Sequence, residues 1–173
     1  MRLIYSVHKY DVFLFTSLIN AGLYRYLVIF ARYISRTGDG HLYLLLGGGI
    51  YLAEGVHSLF LQTLLLAFSI ERPLYFILKN SFKRNRPQAA LKGFKSLVTP
   101  SDQFSFPSGH TSVAFMVASL GGYFMPILFI PLLLWATLVG FSRVVLGVHF
   151  PTDTLVGMAL GISVAVFSIG QIV

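Results

Sequence analysis

Between His41 and Ile169 the chain alternates long apolar stretches with short polar breaks, and this alternation restricts the fold more than any other feature. About 20 apolar residues in a helix rise roughly 30 Å, the thickness of a bilayer's hydrocarbon core. Backbone placed in hydrocarbon must satisfy its own N–H and C=O groups, which leaves helices as the natural spanning element. Five spans are expected, at 41–58, 59–78, 108–123, 127–145 and 151–169. Only 11% of the residues are charged, against 55% hydrophobic and a mean hydropathy of +0.76. A soluble domain carries roughly 25% charged residues, so this chain has too few polar atoms to cover itself in water. The expected fold class is all-α, a polytopic membrane helical bundle forming a single domain over 1–173.

Ahead of the first span, residues 11–36 are apolar but carry Arg25 and Arg32 seven residues apart on one helical face, and Asn20-Ala21-Gly22 breaks the run. Two amphipathic helices lying at the membrane interface are expected there, with a single broken span as the alternative. The opening residues MRLIYSVHKYD lack the pattern of a cleaved secretory signal and are expected to stay in the mature protein. The absence of cysteine excludes disulfides and thiolate metal sites. Of 13 Lys and Arg, six fall between Lys79 and Lys95, inside a polar loop at 79–106. In so apolar a chain, this cluster points to a membrane anchor or an anionic ligand, with nucleic acid disfavoured.

Alternating the spans brings three stretches to one membrane face: Lys79 to Arg86-Pro87, Pro107-Ser108-Gly109-His110, and Ser142-Arg143 with His149 and Asp153. Each alone has a structural explanation: snorkelling cations, a helix start, a satisfied polar residue. Together they meet the needs of displacement at phosphorus, in which charge on three equatorial oxygens requires fixed cations and N–H donors. Lys79, Arg86 and Arg143 supply the cations. Ser108 and Gly109 open a helix whose free N–H groups favour an anion. His149 is the expected nucleophile, near the cap of the last helix, with Asp153 reaching back to one ring nitrogen to fix the tautomer. His110 is the expected general acid, and later the base that activates water. A metal is not expected among so many cations, and the cofactor expectation is none.

These motifs, K-x6-R-P, P-S-G-H and S-R-x5-H-x3-D, occur here in order across 75 residues without departure in residue or spacing. The chain thereby resembles the type 2 phosphatidic acid phosphatase superfamily, the lipid phosphate phosphatases related to bacterial acid phosphatases and vanadium haloperoxidases. The resemblance implies a helical bundle with its site at the membrane boundary, a phosphohistidine mechanism and no metal. It assigns Lys79, Arg86, Ser108, Gly109 and Arg143 to phosphate binding, His110 to acid–base work, and His149 with Asp153 to the nucleophile pair. The expected substrate is a lipid phosphate or diphosphate: undecaprenyl diphosphate, phosphatidylglycerophosphate, phosphatidic acid or lipid A phosphate. A lipid-to-lipid phosphotransferase, a haloperoxidase and a non-enzymatic lipid-binding protein are the competing readings. The bilayer is the expected partner, and the oligomeric state stays open. The expected location is a bacterial inner membrane. The positive-inside rule would put the basic loop in the cytoplasm, whereas bacterial relatives commonly expose the site to the periplasm or exterior, the side expected here.

Overall fold

A computed structural model describes residues 2–100 and 102–173, with side chains described from His8 onward. The chain forms α1 (Arg2–Ile19), α2 (Tyr24–Arg36), α3 (Gly40–Glu54), α4 (Leu59–Phe82), the short α5 (Pro87–Ala90), α6 (Gly109–Phe124), α7 (Phe129–Val145) and α8 (Pro151–Ile172). Among the described residues there is no strand, and the expected all-helical membrane bundle is what forms.

The five expected spans each become a helix, α3, α4, α6, α7 and α8. Three stretches have the length and hydropathy to cross a bilayer: Leu59–Ala90, Pro126–Val145 and Pro151–Ile172. A fourth is possible only if His8–Ile19 and Tyr24–Arg36, which meet at 106°, count as one broken span. The break falls at the expected Asn20-Ala21-Gly22. Helices α3 and α6 have 15 and 16 residues, rising about 22 and 24 Å, short of the hydrocarbon thickness. Gly55, at φ +76°, ends α3, and Met125-Pro126 ends α6. A short α6 is workable because it lies in the middle of the bundle, with Val113, Ala114, Met116, Val117 and Leu120 all buried.

Packing around α6 is tightest against α8, where glycines remove the side chains between two backbones. A Cβ on Gly161 would lie 2.0 Å from the Ser112 carbonyl oxygen, and one on Gly157 would lie 2.5 Å from that of Ser108. The core continues on the other flank through Phe60, Leu64, Ala67 and Val164. Large apolar side chains such as Leu52, Ile127 and Leu134 point outward, as lipid contact demands. Within α4, Glu71 is fully buried, paired with Arg72 at 2.5 Å and accepting a hydrogen bond from Ser112 Oγ at 2.5 Å. This intramembrane acid is thus satisfied by its neighbour in sequence and by α6.

Candidate functional site

The C-terminal ends of α2, α4 and α7 and the N-terminal ends of α6 and α8 meet at one end of the bundle. Ser35 of α2 accepts a 2.6 Å hydrogen bond from Arg143 of α7. The Arg143 carbonyl in turn accepts from the His149 backbone N–H at 3.3 Å. Ser108 at the head of α6 donates its N–H to the Asp153 carbonyl of α8 at 2.9 Å. Arg86 donates to the Val148 carbonyl at 2.6 Å. All eight expected site residues therefore belong to one connected region, although they are drawn from three separate stretches of sequence.

Local sequence explains each placement. Lys79 lies within α4, one turn before its end, rather than in the loop expected from 79 onward, and it is only 4% exposed. Arg86 occupies the cap of α5, held there by Pro87 at the first helical position. Ser108 caps α6 in extended conformation, and its hydroxyl meets Thr111 Oγ1 at 2.9 Å. Gly109 leaves room for the ring of Tyr75, which would sit 2.8 Å from any Cβ there. Gly147, at φ +74°, turns the chain from α7 toward α8.

The histidine pair lies near the cap as expected, but one expectation, a direct bond from Asp153 to the ring, is corrected. The cap of α8 is Phe150, with Pro151 next and Asp153 at the third helical position, so His149 lies just outside the helix. The Asp153 carboxylate approaches His149 Nδ1 only to 3.8 Å, an electrostatic contact beyond hydrogen-bond reach. Its oxygens are engaged elsewhere, one by the Phe150 N–H at 2.8 Å and the other by Arg84 at 2.8 Å. His149 Nδ1 is buried without a hydrogen-bond partner among the described residues. Burial pushes the His149 ring down from 6.5 to about 4, with Arg86 and Arg143 acting in the same direction and Asp153 opposing them. The ring is therefore neutral near pH 7, with a lone pair available.

His110 meets Asp39 of the α2–α3 turn, Nε2 to Oδ1, at 3.0 Å. It stands between two cavities. One, of about 300 Å³, is polar and shared with Arg143, Arg36 and Thr99. The other, of about 690 Å³, is apolar and runs between α3 and α4 past Gly47, Gly48, Leu64 and Phe68.

Four residues of the site were not assigned from sequence. Asp102 lies between Lys79 and Arg86: Lys79 Nζ donates to both carboxylate oxygens at 2.8 and 2.9 Å, Tyr75 donates its hydroxyl at 2.6 Å, and Arg86 Nη2 pairs with the same group. Burial would raise this carboxyl, but hydrogen bonds from Lys79, Tyr75 and Arg86 and the charge of Lys79 prevail and hold it at about 2. Arg84, one of the six basic residues between Lys79 and Lys95, bridges Asp153 and the buried Asp11 of α1, the latter at 2.6 Å. Tyr75 and Asp39 complete the four. Among the described residues no three His, Asp or Glu side chains gather as a metal site would require.

A buried neutral imidazole beside three cations and a helix N-terminus suits a tetrahedral oxyanion. Residues 44–172 match the model of the PAP2 superfamily. The chain belongs to that superfamily. Over 111 residues it is 40% identical to phosphatidylglycerophosphatase B of Bacillus subtilis, covering 57% of this chain and 51% of the relative. It is 35% identical over 92 residues to decaprenylphosphoryl-5-phosphoribose phosphatase of Mycobacterium tuberculosis, covering 51% of this chain and 48% of the relative. The chain thus spans about half the length of the curated relatives it matches. Among solved structures it is similar to Aquifex aeolicus LpxE, with a TM-score of 0.80 and 30% identity over 92% of this chain and 94% of that one. A transmembrane PAP2-type phosphatidylglycerolphosphate phosphatase from Bacillus subtilis gives a TM-score of 0.76 at 30% identity, over 96% of this chain and 86% of that one.

Proposed function

We propose that this chain is an integral membrane lipid phosphatase that removes a terminal phosphate from a lipid phosphate or diphosphate through a phosphohistidine intermediate. The observation that carries the reading is a neutral, buried His149 at the same bundle end as Lys79, Arg86, Arg143 and the N-terminus of α6, with an apolar groove opening at His110. The cations, the Ser108 hydroxyl and the Gly109 N–H hold the phosphate, the Ser108 N–H being already given to the Asp153 carbonyl. Asp153 faces Nδ1 and favours the proton there, which leaves the Nε2 lone pair to attack phosphorus.

In the first step a nitrogen–phosphorus bond forms as the bond to the lipid oxygen breaks, and His110, which takes up a proton as the dianionic phosphate binds beside it, gives that proton to the oxygen. In the second step His110 takes a proton from water, whose oxygen attacks phosphorus and releases inorganic phosphate and free His149. This roughly in-line exchange asks the protein for positioning and charge rather than a further reagent. The lipid tail lies in the groove between α3 and α4. The substrates named for the relatives, a phosphatidylglycerophosphate and a polyprenyl-linked phosphoribose phosphate, both join an apolar tail to a terminal phosphate, which fits a polar cavity and an apolar groove meeting at one histidine.

We further place α1 and α2 at the interface and the site on the exterior face of the inner membrane. A reporter fused at the C-terminus, at the far end of α8 from the site, tests this orientation through a cytoplasmic signal. The test of function is phosphate release by the detergent-purified protein from undecaprenyl diphosphate, phosphatidylglycerophosphate, phosphatidic acid and lipid A phosphate. His149→Ala should lower the rate by a factor of about 10⁴ or more. Unchanged release by the mutant would overturn the nucleophile assignment.

A further inference from the structure

Asp102 occupies a position that the reaction as drawn does not use. Its carboxylate accepts from Lys79, Tyr75 and Arg86, and Arg86 Nε also donates to its backbone carbonyl at 3.0 Å. Two of the three cations that would hold a phosphate are therefore already holding an anion, and that anion is tethered in the same chain. Its side chain is about one-third exposed and enters from a loop segment, so it can withdraw without disturbing a helix.

We propose that Asp102 is a specificity residue, an internal competitor that reserves the Lys79–Arg86 pair for dianionic terminal phosphates and keeps singly charged phosphodiester headgroups out. The inference rests on the phosphatase reading above. Binding at this pair is an exchange, in which the incoming group must replace a carboxylate of charge −1 that has the advantage of intramolecular delivery. A terminal phosphate carries about −1.5 to −2 at pH 7 with three acceptor oxygens, so it brings more charge and more acceptors than the group it displaces. A phosphodiester brings one charge and two free oxygens, no more than Asp102 already provides. A membrane phosphatase works among phosphodiester headgroups at very high local concentration, so a site of bare cations would be occupied by bystanders. Asp102 would lower the apparent affinity for every anion by the same exchange factor; the dianion, bound more tightly at the outset, still fills the pair, whereas the phosphodiester falls below occupancy at its membrane concentration.

The experiment uses the purified full chain in mixed micelles, with a lipid monophosphate as substrate and phosphatidylglycerol added as a phosphodiester inhibitor. Wild type should be insensitive to phosphatidylglycerol at equal surface fraction, while Asp102→Asn should be inhibited competitively, its apparent KM rising about tenfold or more. Asp102→Glu, which keeps the charge, should restore insensitivity. Tyr75→Phe, which removes one hydrogen bond to the carboxylate, should fall between wild type and Asp102→Asn. Equal insensitivity of wild type and a folded Asp102→Asn would overturn the proposal. So would loss of vanadate binding by a folded Asp102→Asn, because Asp102 would then belong to the phosphate site itself. If Asp102→Asn does not fold, Tyr75→Phe carries the test alone, and its insensitivity to phosphatidylglycerol would overturn the proposal. Failure of the phosphatase reading is separately visible as absence of phosphate release from the monophosphate by wild type, which would overturn both.

Discussion

Glycine is used in opposite ways on the two sides of this bundle. Between α6 and α8, Gly157 and Gly161 let two backbones touch, and any Cβ there meets a carbonyl oxygen. In α3, a Cβ on Gly48 or Gly49 would meet nothing within 4 Å, and the space beside this helix is the 690 Å³ apolar cavity. One side is closed by removing side chains, and the other is left open by the same means. The two histidines follow this division: His149 is sealed at the head of α8, while His110 has a quarter of its side chain exposed and faces the cavities. The proposed phosphatase of lipids would need both conditions, a fixed, water-poor nucleophile and a flank that admits a chain from the bilayer.

The largest effect should come from filling the closed side. Gly161→Ala forces α6 and α8 apart at the Ser112 carbonyl and should cost about 3 kcal/mol or more, read as a lowered thermal midpoint in detergent. An unchanged midpoint would show that the seam is not tight. Gly48→Leu, on the open side, should not lower stability while slowing turnover of a long-chain lipid several-fold relative to a short soluble phosphate ester. Equal slowing of both substrates would place the tail elsewhere.

A pH series sharpens the contrast between the histidines. Because the His149 ring is held at about 4, formation of phosphohistidine in single-turnover mixing should show no loss due to this group from pH 8 down to 5, then fall as pH drops through about 4. The same displacement links to stability. The folded value lies below the ordinary 6.5, so the stability present above pH 6.5 is lost progressively as pH falls toward 4. A loss of phosphohistidine formation centred near pH 6.5 would mean that the ring is solvated. The smallest effect reverses the sign of the first: Gly48→Ala, in a helix interior with open space, should raise stability by about 0.5–1 kcal/mol.

The site was legible wherever its residues recur at fixed spacing. Lys79 to Arg86, Ser108 to His110 and Arg143 to Asp153 are each set by one helix end or one turn, so local geometry carries the pattern. Asp102 and Arg84 were not legible in this way. The partners of Asp102 lie 16, 23 and 27 residues away across an irregular loop, and Arg84 reaches 73 residues back to Asp11 and 69 forward to Asp153. No periodicity encodes such contacts, and a run of six basic residues gives no sign of which one is drawn inward. Hydropathy likewise located the apolar segments that become α3, α4, α6, α7 and α8. The kink near Asn20 was readable from the residues that make it.

The bridge from Asp11 through Arg84 to Asp153 has a practical consequence for engineering. Asp11 also accepts the Thr152 N–H at 3.0 Å and pairs with the Thr152 hydroxyl, so α1 is latched onto the first turn of α8. A tag, fusion partner or truncation that displaces α1 would free Arg84 to bind Asp153 alone and leave the acid beside His149 differently balanced. Handles for purification or display therefore belong at the C-terminal end, where α8 finishes far from this latch.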